Sequence, residues 1–437
     1  MTELPEKFTS RMRTLLGGEY DAFINCYNNP PVRGLRVNTL RIDAESFLDI
    51  SPWRLEPTHI LDEGFIVHGA DNVGRHPYHV AGLFYMQEPS AMSAVAASPA
   101  DGSGLRVLDL CAAPGGKTGG VAAKMRGRGI LVANEIVPKR ARLLAQNMER
   151  LGVTNASVIN AHPEAIASAL PRFFDIVMVD APCSGEGMFR KDAGAIAEWS
   201  PEHVKACAER QSLILESAAE CVRGGGCIVY STCTFSEEEN EGVIESFLSR
   251  HDDFSVEFSE RLYPHTSCGE GHFVCRMRRD GNSFEVRAGI PSLKDKATLR
   301  LLDDFMSDML ENGLPDGIIH MAGGKIRLIP HDMPAEVLKL HPVTCGIELG
   351  EPRKGRFEPS HTFFMAALEG FSREVGFPSD SSELFRFLSG NTVPCPNELR
   401  GYCRVTVNTE HGAFPTGFGK AVDGTLKNHI PKGLYIN

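Results

Sequence analysis

Three short segments hold residue types suited to covalent chemistry: Asp109-Leu-Cys-Ala-Ala-Pro-Gly-Gly-Lys-Thr, Asp180-Ala-Pro-Cys-Ser-Gly-Glu-Gly and Tyr230-Ser-Thr-Cys-Thr. The second and third each place a cysteine, Cys183 and Cys233, just past an apolar run. A lone cysteine is most often a small buried apolar residue, and that reading suffices for Cys207, Cys221 and Cys227. Two cysteines at neighbouring strand ends, one close to Asp180, are harder to explain as packing. A disulfide is disfavoured in a reducing compartment. A two-thiolate metal site lacks further spaced ligands, so no metal is expected. Thiol catalysis remains.

The first segment is a Gly-rich turn entering a helix, which lets a ligand meet backbone N–H groups at the helix N-terminus. Two ligands suit it. A phosphate-binding G-x-x-x-x-G-K-[ST] loop using Lys117, Thr118 and Asp180 would need glycine at 111, where Cys111 stands. A nucleoside cofactor instead needs an acid at the end of the next strand to accept the ribose hydroxyls, and Glu135 lies 26 residues beyond Asp109. The second reading is favoured. A nucleoside cofactor, a thiolate, a second thiol and an acid together suit methylation at carbon 5 of a pyrimidine. A thiolate adds at C6, an acid such as Asp180 interacts at N3, C5 attacks the methyl of S-adenosylmethionine, and a base removes the C5 proton. Spacing alone leaves open which cysteine attacks. With an ordinary thiol pKa near 8.5, both need local help to ionise.

These residues need strand ends to hold them, and the chain predicts such strands. Apolar runs at Arg106–Leu110, Gly129–Asn134, Ala156–Asn160, Phe174–Asp180 and Gly226–Ser231 alternate with helical segments at about Pro138–Leu151 and Pro201–Val222. Ser236-Glu-Glu-Glu reads as a capping box opening a helix to about Leu248, with Glu237, Glu238, Glu239 and Glu241 as an N-terminal cluster complementing the helix dipole. The alternation predicts an α/β fold, a doubly wound Rossmann-like sheet that binds ligands at its strands' carboxyl ends. It stops after about Asp280. Expected domains are an N-terminal accessory domain over 1–75, a catalytic domain over 76–282, an accessory domain over 283–375 and a final module over 376–437.

Composition sets the outer limits. The 437 residues carry 45 basic and 56 acidic side chains, a net charge of −11, which excludes a charge-driven nucleic-acid binder for the whole chain. The acid is uneven, however. Residues 101–150 hold 9 Lys/Arg against 4 Asp/Glu, and 274–300 hold 7 against 3, whereas 201–250 and 301–350 are each acidic by five. No two of the 12 cysteines form a C-x-x-C pair, the N-terminus has no leader-like apolar stretch, and no apolar run reaches 18 residues. A monomeric cytoplasmic protein with free thiols and no membrane partner is expected.

The three segments, with Ser231-Thr-Cys-Thr-Phe-Ser-Glu-Glu-Glu-Asn-Glu, closely resemble the motifs of the Nop/Sun-type RNA (cytosine-5) methyltransferases. Arg36-Val-Asn-Thr-Leu and Gln87-Glu-Pro-Ser-Ala-Met are similar to that family's N-terminal and pre-catalytic signatures, so the resemblance covers about residues 10–280. The ending, Lys427-Asn-His-Ile-Pro-Lys-Gly-Leu, resembles the PUA-like RNA-binding tail of the bacterial RsmF-type 16S rRNA branch. The resemblance implies that Cys233 is the nucleophile and that Cys183 assists proton removal and release. It implies that Asp180 and Lys117 contact the target cytosine. It also implies that Cys111, Ala112, Ala113, Pro114, Gly115, Gly116, Lys117, Glu135 and Asp180 hold S-adenosylmethionine. The family often has Asp 18 residues before the motif Asp, next to adenine; here that position is His162. RNA, most simply 16S rRNA or a small-subunit particle, is the implied partner, with tRNA the nearest alternative. Arg190 and Lys191 are candidate phosphate contacts, and Arg276, Arg278, Arg279 and the tail residues Lys427, His429 and Lys432 are further ones. Two other classes stay open: a nucleoside triphosphatase indifferent to both cysteines, and a non-catalytic RNA-binding factor.

Overall fold

The computed structural model describes residues 4–69, 71–283 and 285–436; the first three residues of the segment read as lacking a leader lie outside it. Its centre is an eight-stranded sheet. The strands are β1 (Arg106–Asp109), β2 (Ile130–Asn134), β3 (Ala156–Ile159), β4 (Phe174–Asp180), β5 (Val222–Thr232), β6 (Phe254–Leu262), β7 (His272–Arg279) and β8 (Pro342–Cys345). Their spatial order is β6-β7-β5-β4-β1-β2-β3-β8. Strands β1 to β5 pair in parallel, as their apolar runs predict. Three further strands were not foreseen: β7 runs antiparallel between β5 and β6, and β8 antiparallel beside β3.

Alternation along each strand sends side chains into two cores. Leu108, Val132, Val177, Val179, Ile228 and Tyr230 pack under helices α3 (Pro163–Ala169), α4 (Pro201–Cys221) and α5 (Glu241–Leu248). Val107, Leu131, Ile176, Met178 and Val229 face α1 (Gly116–Met125) on the other side, where α2 (Pro138–Leu151) also covers Ala133 and Val158. Each fully buried aliphatic side chain here contributes about 1.5–3 kcal/mol. Helix α4 starts where Ser200 accepts from the His203 N–H and Pro201 occupies its first turn. Helix α5 corrects the expected start: it opens at Glu241, and residues 237–240 form a turn.

Around this sheet stand three smaller ones. The N-terminal sheet orders its strands 54–57, 64–68, 34–37 and 84–86, so it reaches beyond residue 75. A four-stranded antiparallel sheet spans Ile318–Pro359, and a five-stranded sheet spans Glu374–Asn428. One hydrophobic core joins Leu35, Phe65 and Phe84 of the first sheet to Val405 and Leu426 of the last and to Leu384 and Phe387 of the helix Ser382–Leu388. Helix Glu6–Leu16 packs Phe8 and Met12 against Phe189, Trp199 and Phe235 of the loops that follow β4 and β5.

Candidate active site

The carboxyl ends of β1, β2, β4 and β5 open into a cavity of about 640 Å³. Strand β1 ends at Asp109, and the turn after it swings into α1. Gly115 has φ +111° and lies against α2, where a Cβ would come 3.0 Å from Met148 Cε and 3.1 Å from Leu144 Cδ1. The turn is fixed from both sides. Thr118 Oγ1 donates to Asp109 Oδ2 at 2.6 Å, Arg140 Nη2 to the Ala113 carbonyl at 2.9 Å, and Asn147 Nδ2 to the Pro114 carbonyl at 2.8 Å. The fully buried Arg36 donates to Gln87 and, at 2.5 Å, to the Gly116 carbonyl. The Arg36 and Gln87 segments thus meet each other on the Gly-rich turn. Cys111 and Ala113 line the cavity, and burial pushes the Cys111 thiol well up.

Glu135, at the end of β2, is 4% exposed and faces the cavity. Its oxygens accept from the Val137 N–H at 2.8 Å and pair with Arg140 at 3.2 Å, which fixes the carboxylate in place. Ile136, Val137, Pro163, Leu213 and Ile214 supply apolar walls beside it, and His162 stands at the same end. A buried carboxylate for two hydroxyls, an apolar slot and a helix N-terminus fit an adenosine-type cofactor.

Asp180 and the two cysteines lie at the other end. Lys117 Nζ pairs with Asp180 Oδ1 at 2.8 Å, and Ser231 Oγ donates to the same oxygen at 3.0 Å. Burial would lower the Lys117 pKa, but Asp180 more than offsets this and the ammonium is held above its ordinary value. Cys183 Sγ and Cys233 Sγ are 3.3 Å apart. The hydrogen bond from Cys233, then burial, then the charges of Cys233 and Glu239 push the Cys183 thiol far up.

The loops bearing the cysteines are held by Glu239, Asn240 and Glu186, of which the sequence reading placed Glu239 in a helix-start cluster and gave the other two no role. Glu239 is fully buried; it accepts from Ser184 N at 2.9 Å, from the Ser184 hydroxyl, and from Gln211 Nε2 at 3.0 Å. It corrects the reading of residues 237–241 as a helix-dipole cluster: Glu239 points inward and anchors the Cys183 loop. Asn240 Oδ1 accepts from Thr232 Oγ1 at 2.6 Å, and Asn240 Nδ2 donates to the Thr234 carbonyl at 3.0 Å, holding the Cys233 loop. Glu186 accepts from Trp199 Nε1 at 2.8 Å and Phe235 N at 3.1 Å, and pairs with Arg11. Gly187 N donates to the Cys233 carbonyl at 2.9 Å; a Cβ there would meet the Gly271 carbonyl at 2.7 Å. A run of Glu after Ser gave no sign of this, because the partners lie on other elements.

The expected basic contacts sit in varied settings. Arg190 pairs with buried Glu270 at 3.3 Å and donates to the Pro30 carbonyl at 2.8 Å, tying the N-terminal segment to the catalytic loop. Lys191 is exposed and only 3.9 Å from Glu270. Arg276 and Arg278 pair with Glu257, and buried Arg279 with Asp253 at 2.8 Å. Lys427, His429 and Lys432 are exposed. Among the described residues no His/Cys/Asp/Glu cluster suits a metal ion, and no helix is long and apolar enough to cross a membrane.

Comparison with known proteins identifies the scaffold. A family model described as 16S rRNA methyltransferase RsmB/F matches residues 95–278, and one for the N-terminal domain of RsmF matches 4–89. Models for the first C-terminal domain and the PUA domain of RsmF match 304–367 and 375–436. Ribosomal RNA small subunit methyltransferase F of Vibrio vulnificus is 34% identical over 99% of this chain and 97% of its own length. The chain belongs to the RsmF family of 16S rRNA methyltransferases. The same enzyme of Cronobacter sakazakii is 32% identical over 99% of this chain and 96% of its own. A crystal structure of a methyltransferase homologue from Pyrococcus horikoshii aligns with a TM-score of 0.56 and 28% identity, over 63% of this chain and 95% of that one. The chain is thus a methyltransferase, its cofactor is S-adenosylmethionine, its fold is the expected Rossmann-like one, and it ends in a PUA-like domain. Membership sets aside the nucleoside triphosphatase reading of Lys117 and Thr118.

Proposed function

We propose that this chain methylates C5 of cytosine in 16S rRNA, in the cytoplasm, using Cys233 as nucleophile. The observation that carries the reading is the two thiols 3.3 Å apart on the same cavity wall as the 2.8 Å Lys117–Asp180 pair. When bound, the cofactor supplies an electrophilic methyl group. Glu135, His162 and the turn from Cys111 to Lys117 hold it at the β1–β2 end. Lys117 and Asp180 hold the extruded cytosine by its polar edge. Cys233 forms a bond to C6, and the displaced electron pair makes C5 a nucleophile that accepts the methyl. A base takes the C5 proton, the C5–H electron pair re-forms the C5–C6 double bond, and the C6–sulfur bond breaks with its electrons returning to Cys233 as the thiolate. Cys183 assists both events. Once Cys233 is bonded to carbon, the sulfur charge and hydrogen bond that hold Cys183 as a thiol are gone, and Cys183 can take part in proton transfer. RNA phosphates are met by Lys191 near the catalytic loop, where Arg190 is instead committed to Glu270 and the Pro30 carbonyl, and by the exposed cations of the PUA-like domain.

The test uses 16S rRNA from cells lacking this protein, with products read by bisulfite sequencing and denaturing gels. The native chain is expected to create bisulfite-resistant cytosine. Cys183→Ala is expected to accumulate a covalent RNA–protein band because release fails, and Cys233→Ala to form none. Identical behaviour of the two variants would refute the assignment of roles.

A further inference from the structure

His272 opens β7 and is 1% exposed, yet neither of its ring nitrogens has a hydrogen-bond partner. The ring contributes to the cavity wall at the cysteine end, together with Gly271, Lys117, Cys183 and Cys233. Register explains its place. The next residue, Phe273, pairs with Thr232 across the β5–β7 ladder, which brings His272 alongside Cys233 at the mouth of the sheet. Buried polar groups are almost always satisfied, and leaving two positions of one ring empty is costly. The polar neighbours are already committed: Lys117 to Asp180, Glu270 to Arg190 and the Val32 N–H, Cys183 to Cys233. What completes the ring must therefore enter the cavity. Glu135 and the apolar slot lie at the opposite, cofactor end, so the entering group at this end is the base. Burial and the charge of Lys117 keep the imidazole neutral, so it offers one donor and one acceptor. Cytosine offers acceptors at O2 and N3 and a donor at the 4-amino group, so one ring nitrogen can meet a group on the base edge that Lys117 and Asp180 leave open.

We infer that His272 is a substrate-contacting residue that closes a hydrogen bond on the polar edge of the target pyrimidine, beside Lys117 and Asp180, and helps select it. The inference rests on the reaction proposed above, but one measurement is independent of turnover. The full-length protein and its His272→Phe and His272→Gln variants are compared for affinity to an RNA fragment carrying the target cytosine and to the same fragment made abasic there. The native chain is expected to prefer the intact fragment. His272→Phe should lose most of that preference, by about tenfold for a buried hydrogen-bonded contact, and His272→Gln should regain much of it. S-adenosylmethionine affinity and melting temperature should stay near native in both variants. A His272→Phe protein with undiminished base preference would overturn the inference, as would an equal fall in cofactor affinity. A native chain that shows the base preference but transfers no methyl would instead overturn the proposed function and leave His272 as a base contact.

Discussion

Asp109 shows how a single side chain is pulled two ways at the cofactor end. One oxygen accepts from Thr118 and the other has no partner, in a fully buried setting. Burial raises its pKa from the ordinary 3.8 to about 7, with the Thr118 hydroxyl opposing and the Asp180 charge adding to the rise. A raised folded-state pKa means that its contribution to stability is complete below the unfolded value and is lost as pH climbs through about 7. Melting temperature is therefore expected to fall between pH 5 and 8 more steeply in the native chain than in Asp109→Asn. Parallel profiles would show that this carboxyl is already ionised. Single residues were the most legible level in the sequence. Cys183 and Cys233 stood out because residue type and strand-end position are both local properties. Glu239 and His272 did not, because what distinguishes them is burial among residues 28 to 55 positions away, or on another strand.

At the level of elements, the site is two loops held from behind rather than from the cavity. Glu239 gathers Ser184 and Gln211, so the loop after β4 is braced by the turn before α5 and by the middle of α4. Glu239→Ala would leave the Ser184 N–H and hydroxyl and the Gln211 amide without their shared acceptor, at a cost of about 1–3 kcal/mol. We expect kcat to drop at least tenfold while S-adenosylmethionine affinity changes little, measured by initial rates and calorimetry. A matching loss of cofactor affinity would mean that the whole strand edge had moved. The five parallel strands and α2 were readable because buried parallel strands and amphipathic helices announce themselves by hydrophobic period. The start of α5 was misplaced because Ser-Glu-Glu-Glu satisfies a local capping pattern that long-range bonds override. Strand β6 escaped notice because Ser255 to Glu260, which mix polar residues with Val256 and Phe258, are all exposed along the sheet's outer edge and carry no buried apolar run.

For the whole molecule, the −11 charge and the RNA substrate are reconciled by where the cations lie. Arg190, Arg276 and Arg279 are spent on internal pairs, whereas Lys427 and Lys432 are exposed on the last domain, Lys427 directly across the ladder from Lys420, whose ammonium sits 5.0 Å from the Tyr402 ring centre. Replacing Lys420, Lys427 and Lys432 with Gln should weaken RNA binding and reduce the salt slope by about 0.7–0.9 per lost phosphate contact. An unchanged slope would move the RNA path to the N-terminal side, where Lys191 lies. Composition excluded only indiscriminate binding. How the outer domains join the catalytic sheet was illegible, since the four-residue β8 carries no period of its own.

That short strand also sets a timetable. Ser157 on β3 donates to the Thr344 carbonyl on β8, 187 residues later. Ribosomes add about 5–20 residues per second, so β3 waits roughly 10–40 s on the nascent chain before its neighbour exists. In the last part of that interval, once β7 is complete at Arg279, the catalytic sheet has its motifs in place while the β3 edge is still unpaired, and an open edge invites pairing with another chain. The enzyme's vulnerable moment is thus during its own synthesis, after the active site has been made and before the sheet is closed.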